Sequence, residues 1–171
     1  MKLELPEKKH EKDYLEMIQE FLKDKEHITP GQMGLKEWES FDEFLTRCEN
    51  YKEGINVKPN RVPATLYFII DENDKVVWGV SIRHYLNDAL RFTSGHIGYG
   101  IRPSERRKWY ASQALKLALE KCKDMDFTDA LLTCDTSNIA SAKVIQKNWW
   151  ILDSEYEDEW IPSQRYRIHI K

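Results

Sequence analysis

Apolar residues recur along this chain with more than one period. Over residues 10–25, Tyr14, Leu15, Ile18, Phe21 and Leu22 fall at helical spacing and predict one amphipathic helix. Leu35, Trp38, Phe41, Leu45 and Cys48 repeat the pattern and predict a second helix from Leu35 to about Tyr51. The stretch HITPGQMG between them is a breaker. Residues 64–71 (ATLYFIID) and 76–84 (VVWGVSIRH) are instead rich in β-branched and aromatic residues. With the polar turn Glu72, Asn73, Asp74, Lys75 between them they predict a β-hairpin. Residues 85–95 read as a loop or short helix, and residues 96–102 (HIGYGIR) as a strand stopped by Pro103. Ala111, Ala114, Leu115, Ala118, Leu119 and Cys122 form a strong helical stripe over about residues 109–125. Residues 130–134 read as a short buried strand, and Asn138 as the N-cap of a helix reaching Lys147. Residues 151–156 and 164–170 close the chain as strands, with Tyr166, Ile168 and Ile170 on one face and Arg165, Arg167 and His169 on the other.

The predicted order, two helices, three strands, helix, strand, helix, two strands, places a strand–helix–strand unit between antiparallel hairpins. That implies an α/β (α+β) fold, a mixed, mostly antiparallel sheet with helices on both faces. Without repeats or linkers, residues 1–171 read as one domain. The share of apolar residues, 41%, is that of a globular protein. A net charge of -3 gives no pull toward nucleic acid or an anionic membrane, so neither is expected as a partner. No apolar run is long enough to span a bilayer, and the polar N-terminus is not a secretory leader, so a cytoplasmic location is expected. Cys48, Cys122 and Cys134 lack metal-ligand spacing and read as small core hydrophobes; no metal is expected.

The chemistry concentrates in the strand–turn–helix of residues 96–121. A helix start offers unpaired backbone N–H groups and partial positive charge, and Arg106, Arg107 and Lys108 add full charges there. Together they suit a diphosphate; a solvated basic loop is the alternative. The run from Gly98 to Ala111, GYGIRPSERRKWYA, resembles the acyl-CoA signature of the GNAT superfamily of N-acetyltransferases. That signature is Arg or Gln, two residues, Gly, one residue, Gly or Ala, and it falls here on Arg106, Trp109 and Ala111. The segment from Asn138 to Asn148, NIASAKVIQKN, resembles the second element of that family. The likeness covers about residues 64–170 and is densest to bacterial acetyltransferases sharing IRHYLND and GHIGY…IRPSERRK segments.

The resemblance implies transfer of an acetyl group from acetyl-CoA to a primary amine by direct attack on the thioester. It implies that the diphosphate lies on the N–H groups of Arg107, Lys108, Trp109, Tyr110 and Ala111, with Arg106 beside them. Pantetheine would follow Tyr99, Gly100 and Ile101 where two strands splay, and Asn138 and Ser141 would contact the cofactor. A strand N–H would polarise the thioester carbonyl. His96 and His84 are the candidate bases, titrating in a suitable range unless perturbed; a solvent-facing strand-edge histidine is the alternative for each. Arg83, Asn87 and Asp88 are candidates to line the acceptor site. The family's catalytic tyrosine aligns with Ile145, so the acid is unassigned among water, Tyr110 and Tyr156. The acceptor is expected to be a small-molecule or peptide amine, and a homodimer stays open.

One departure stands out. Trp109 occupies the signature's glycine, Trp149 and Trp150 replace Gly-Gly at a helix end, and Trp78 and Trp160 sit where related sequences take glycine or a turn. Glycine numbers only 7 of 171 residues, and adding these five positions restores the ordinary share of about 7%. The pattern predicts UGA codons that the source decodes as glycine; genuine substitution is the alternative. Only Trp38, on the second helix's stripe, reads as an ordinary tryptophan. If the indoles are real, a catalytically silent acyl-CoA or metabolite-binding module, or an interaction domain without coenzyme A, competes with the enzyme. No phosphate-binding GxxxxGK[ST] loop, dinucleotide GxGxxG fingerprint or GxSxG elbow is present.

Overall fold

The computed structural model describes residues 1–31, 34, 36, 38–158 and 160–170. Its strands are β1 (Lys2–Glu4), β2 (Ala64–Ile70), β3 (Val76–Arg83), β4 (Ile97–Ile101), β5 (Asp129–Asp135), β6 (Ile151–Asp158) and β7 (Ile161–His169). Its helices are α1 (Glu11–Lys23), α2 (Phe41–Lys52), α3 (Asp88–Thr93), α4 (Tyr110–Asp124) and α5 (Ile139–Lys147). The strands form two sheets, ordered β1-β2-β3-β4 and β5-β7-β6, and every described ladder is antiparallel. The hairpin β2–β3, the strand β4 and the unit β5–α5 fall where the pattern places them. β1 was not expected: three residues are too few to show a period, and pairing with β2 creates the strand.

The sheets meet at one seam. Gly95 bridges Leu132, and the His96 N–H donates to the Leu131 carbonyl at 2.7 Å. Gly95 has φ 65°, and a Cβ there would collide with the Leu131 backbone, so this close approach requires glycine. Beyond the seam no described strand pairs with the outer edge of β4.

Two apolar clusters hold the sheets and helices together. One packs α4, through Ala114, Leu115, Ala118 and Cys122, against Ile69, Val77, Ile82 and Ile101, and continues to Leu132, Ile145 and Tyr166. The other packs Tyr14, Met17 and Phe21 of α1 and Phe41, Phe44 and Cys48 of α2 on the opposite face, against Leu66, Phe68 and Trp78. Each large side chain so buried contributes about 1.5–3 kcal/mol.

The first helix buries Tyr14, Met17 and Phe21, whereas Leu15 and Leu22 are exposed, so the expected face is rotated by about one residue. The second helix starts later than expected. Ser40 and Glu43 form a reciprocal capping box, with the Glu43 carboxylate accepting from the Ser40 N–H at 2.8 Å, and this fixes the start at Phe41. Trp38 therefore lies in a turn, 82% exposed, and not on the helical stripe; Leu35 lies outside the described residues.

Backbone conformation singles out the tryptophans. Nine described non-glycine residues have positive φ, and four are Trp78 (126°), Trp109 (71°), Trp149 (62°) and Trp160 (72°). Asn and Asp visit this region at low cost, but an indole-bearing residue does not. At Trp78 the consequence is visible in the packing. Trp78 stands opposite Ile69 in the β2–β3 ladder, yet Ile69 packs in the first cluster and Trp78 in the second. The positive φ, beside a register shift at Ile69/Ile70, turns the indole through to the wrong face. Trp150 differs from the other four: its φ is not positive, and its buried Nε1 has no hydrogen-bond partner among the described residues.

Candidate active site

β4 stops at Pro103, which cannot donate to a ladder, and the chain makes one tight turn before the basic run. Arg107 and Trp109 both take positive φ, 64° and 71°, which brings the chain sharply into α4. The first N–H groups of α4 have no helical acceptor. They border a cleft of about 620 Å³ walled by Tyr99, Ile101, Arg106, Arg107, Trp109, Tyr110, Ala111, Asn138 and Ser141. Nine of the eleven sequence-level cofactor candidates thus meet at one place. The other two turn elsewhere. Lys108 pairs with Glu105 at 2.8 Å, and Gly100 backs onto Thr29 and Trp78, where a Cβ would collide. Sequence reasoning missed Lys143 and Lys147 of α5, which add two cations to the same walls. Their four-residue spacing on a helix behind Asn138 was the available signal.

Carboxylates from the N-terminal region set the shape of the basic loop. Arg102 is buried and donates to Glu20, to Asp13 at 3.0 Å and to the Val76 carbonyl at 3.1 Å. Glu20 also accepts from the Ser104 N–H at 3.1 Å. Burial works to raise the Glu20 pKa, but the bonds from Arg102 and Ser104 prevail and hold it at about 2. Glu26 takes a bidentate grip on the Arg106 guanidinium, one contact being 2.8 Å, and Arg106 Nε donates to the Ile101 carbonyl at 3.2 Å. Trp109 is largely exposed, and Lys147 Nζ lies 3.7 Å from the centre of its ring, a cation–π contact.

A second cleft, of about 350 Å³, opens between β3, β4 and β5. Tyr99, Asn138 and Ser141 line both clefts, so they mark the junction. Asn138 Oδ1 accepts from the Ser141 N–H at 3.0 Å and caps α5. The hydroxyls of Tyr99 and Ser141 lie 2.9 Å apart. Burial pushes the Tyr99 phenol up to about 12, which keeps it protonated at neutral pH.

Of the residues considered for base and acceptor roles, Arg83 lines the second cleft; His84, His96, Asn87 and Asp88 line neither. His84 Nε2 lies 2.9 Å from Thr65 Oγ1. Asn87 caps α3 by accepting from the Leu90 N–H at 2.9 Å, and Asp88 begins that helix. His96 belongs to the seam. Its Nδ1 accepts from the Leu131 N–H at 3.0 Å, and its ring packs edge-on against Phe127. Burial, then Arg91 and Arg83, depress its pKa to about 4. Among the acid candidates, Tyr110 lines the larger cleft, and Tyr156 donates to the Thr93 carbonyl at 3.2 Å. Ile145 is fully buried in the first apolar cluster. Cys134, expected in the core, is half-buried in the wall of the smaller cleft, while Cys48 and Cys122 are buried with thiols pushed up to about 12 by burial. The described residues contain no group of three or more metal-ligating side chains and no helix long and apolar enough to cross a membrane.

These groups fix the response to acid. His96 is held near 4 against 6.5 in an unfolded chain, and His10 and His84 shift the same way. An unfolded chain therefore binds protons first as pH falls below 6.5, and the stability these sites contribute is present above that value and lost toward 4. Glu4 and Glu20, both near 2 against 4.5, add a second loss as pH falls below 4.5. Thermal melts are expected to be level from pH 6.5 up to the ordinary thiol value of 9, and to fall in two stages below 6.5. A melting point that rises on acidification from neutral to about pH 4 would contradict this assignment.

A family model described as an acetyltransferase (GNAT) domain matches residues 3–148. The chain belongs to the GNAT acetyltransferase family. It is by that membership an N-acetyltransferase. No curated protein matches it in sequence. Among solved structures it is similar to an N-acetyltransferase from Staphylococcus aureus Mu50, with a TM-score of 0.65, 17% identity and coverage of 99% of this chain and 98% of that one. It is similar to the ribosomal L7/L12 alpha-N-protein acetyltransferase RimL in complex with coenzyme A, with a TM-score of 0.64, 18% identity and coverage of 98% and 93%. A chimera of the spermidine N-acetyltransferase SpeG from Vibrio cholerae and hSSAT gives a TM-score of 0.62, 16% identity and coverage of 99% and 96%. At such identities these likenesses establish the GNAT fold and nothing finer.

Proposed function

We propose that this GNAT protein binds acetyl-CoA in the larger cleft and transfers the acetyl group to a primary amine held in the smaller one. The single observation that carries the reading is the convergence of the α4 N-terminus, Arg106, Arg107, Lys143 and Lys147 on one cleft that meets a second at Tyr99 and Ser141. The residues fit the group: four cations and unpaired N–H groups suit a diphosphate, and the unladdered edge of β4 suits an extended pantetheine. When bound, acetyl-CoA supplies a thioester whose carbonyl carbon is open to an unprotonated amine.

The chain's own groups do the rest. An N–H on the free edge of β4 donates toward the position of the carbonyl oxygen and stabilises the charge that develops there. The Tyr99 and Ser141 hydroxyls hold a proton at the junction of the clefts, which they would donate to a leaving thiolate. They take the place of the tyrosine that the family carries where this chain has Ile145. His96 is committed to the seam, and its depressed pKa makes it a weak base; deprotonation of the amine is left to water in the smaller cleft.

The indole of Trp109 supports a second reading, a silent acyl-CoA-binding module, because it brings Cβ and a ring to the cleft wall and engages Lys147. Thiol release with a broad amine panel separates the two: binding without turnover favours the module. Arg106→Glu tests the site common to both. Loss of one charge-assisted contact costs about 1.5–3 kcal/mol, so calorimetry should give acetyl-CoA affinity weaker by about 10- to 100-fold. Unchanged affinity would remove the diphosphate assignment.

A further inference from the structure

The smaller cleft carries two cations that no described carboxylate pairs with. Arg83 ends β3 and Arg61 precedes β2, and both line the cleft beside Ser81, Thr93 and Thr133. Among the described residues neither guanidinium forms an ion pair. Elsewhere Arg47 pairs with Glu39 and Arg102 with Asp13 and Glu20, while half-buried Arg165, also without an ion pair among the described residues, lies over the rings of Phe92 and Tyr156. Arg83 is half-buried, and its one side-chain hydrogen bond among the described residues, Nη1 to the Gly95 carbonyl at 2.8 Å, anchors one nitrogen and leaves the rest of the fork unengaged by them. Burial, with Arg61 as a second cation nearby, depresses Arg83 to about 10. Asp135 is the one carboxylate among the described lining residues, and it is exposed.

Holding two like charges over a cavity is unfavourable unless a counter-charge enters. A guanidinium fixed at one nitrogen presents its remaining N–H groups in the planar geometry that grips two oxygens at once. We propose that the acceptor amine also carries an oxyanion, a carboxylate or a phosphate, which Arg83 and Arg61 bind while the amine lies toward Tyr99 and Ser141. A polycationic amine is thereby disfavoured, because it would bring more positive charge to an uncompensated pair. Arg83 and Arg61 become the specificity-determining residues of the smaller cleft. This inference rests on the acetyl-transfer reading for its place in the reaction, though the anion site can be measured without it.

The test uses matched pairs with the full chain: alanine, glutamate and lysine against their carboxamides, and aminoethyl phosphate against ethanolamine. Binding is measured first by calorimetry without acetyl-CoA, then turnover by thiol release with it. At least one anionic member is expected to bind about tenfold or more tighter than its neutral partner. The carboxylate and phosphate arms identify which oxyanion fits. Arg83→Gln is expected to erase the difference, through KM and not kcat. Since Arg83 also holds the Gly95 carbonyl, Arg61→Gln, which breaks no side-chain hydrogen bond or ion pair among the described residues, serves as the second variant and should narrow the same gap. Equal binding of anionic and neutral members in every pair, or tighter binding of spermidine than of all of them, overturns the proposal. Anion selectivity that depends on the two arginines, in a protein that does not bind acetyl-CoA, would uphold the site and sink the acetyl-transfer reading instead.

Discussion

Replacing Trp109, Trp149 and Trp160 together with glycine is expected to raise the melting temperature by about 6–12 °C. Each holds φ between 62° and 72°, and each is largely exposed, at 66%, 76% and 89%. A side chain in that conformation costs about 1–2 kcal/mol over glycine, and exposed indoles return little packing in exchange. Part of the gain is offset by the greater freedom of glycine in the unfolded chain, leaving about 1 kcal/mol per site. For a chain of this length each kcal/mol moves the midpoint by about 2–4 °C. Trp78 is kept out of the set because its buried indole fills the second apolar cluster, and its removal trades strain for a cavity. A triple variant no more stable than the parent would show that the surroundings are adapted to tryptophan. The gene gives an independent check: UGA is expected at positions 78, 109, 149, 150 and 160, and the mass of the protein from its native source should match glycine there. UGG codons at those positions would end the recoding explanation.

Acetyl-CoA affinity is expected to rise tenfold or more in Trp109→Gly. The residue is the N-cap of α4, so its Cβ and ring stand beside the N–H groups assigned to the diphosphate. Its ring also engages the ammonium of Lys147, a contact worth about 0.5–2 kcal/mol. Glycine keeps the left-handed backbone, opens the approach and frees Lys147 for phosphate oxygens. Adding Lys147→Ala to Trp109→Gly should return a large part of the gain, which isolates the freed ammonium from the steric effect. An affinity that is unchanged or weaker in Trp109→Gly would mean that the indole stacks on the cofactor, a role for which its exposure leaves room.

Much of this architecture was readable in the chain because several elements carry redundant signals. α4 has a stripe of small apolar residues and a proline-terminated strand before it; α5 has a capping asparagine. Such agreement between local propensity and global packing leaves few alternatives. The failures have separate causes. The stripe drawn from Leu35 ran past a capping box, which overrides periodicity because it satisfies backbone donors directly. Rotation of α1 by one residue exchanged Leu15 and Leu22 for Met17, a choice that two packed helices make together. For the site, most residues of the signature gather on the larger cleft, since that motif is a contiguous backbone shape. The histidines were chosen for their chemistry alone, and no local pattern reveals that His96 spends its nitrogen on Leu131, 35 residues further along the chain. Arg61 was invisible for the same reason: it reaches the cleft only through tertiary contact.

The carboxylates Asp13, Glu20 and Glu26 grip Arg102, Ser104 and Arg106 from a segment that itself lines no part of the larger cleft. The loop that resembles the acyl-CoA signature is therefore not portable: grafted into another protein, or cut back to the stretch that resembles the family most, it would keep its spelling and lose its curvature. Engineering that trims or swaps the leading helix amounts to retuning the basic loop from a distance.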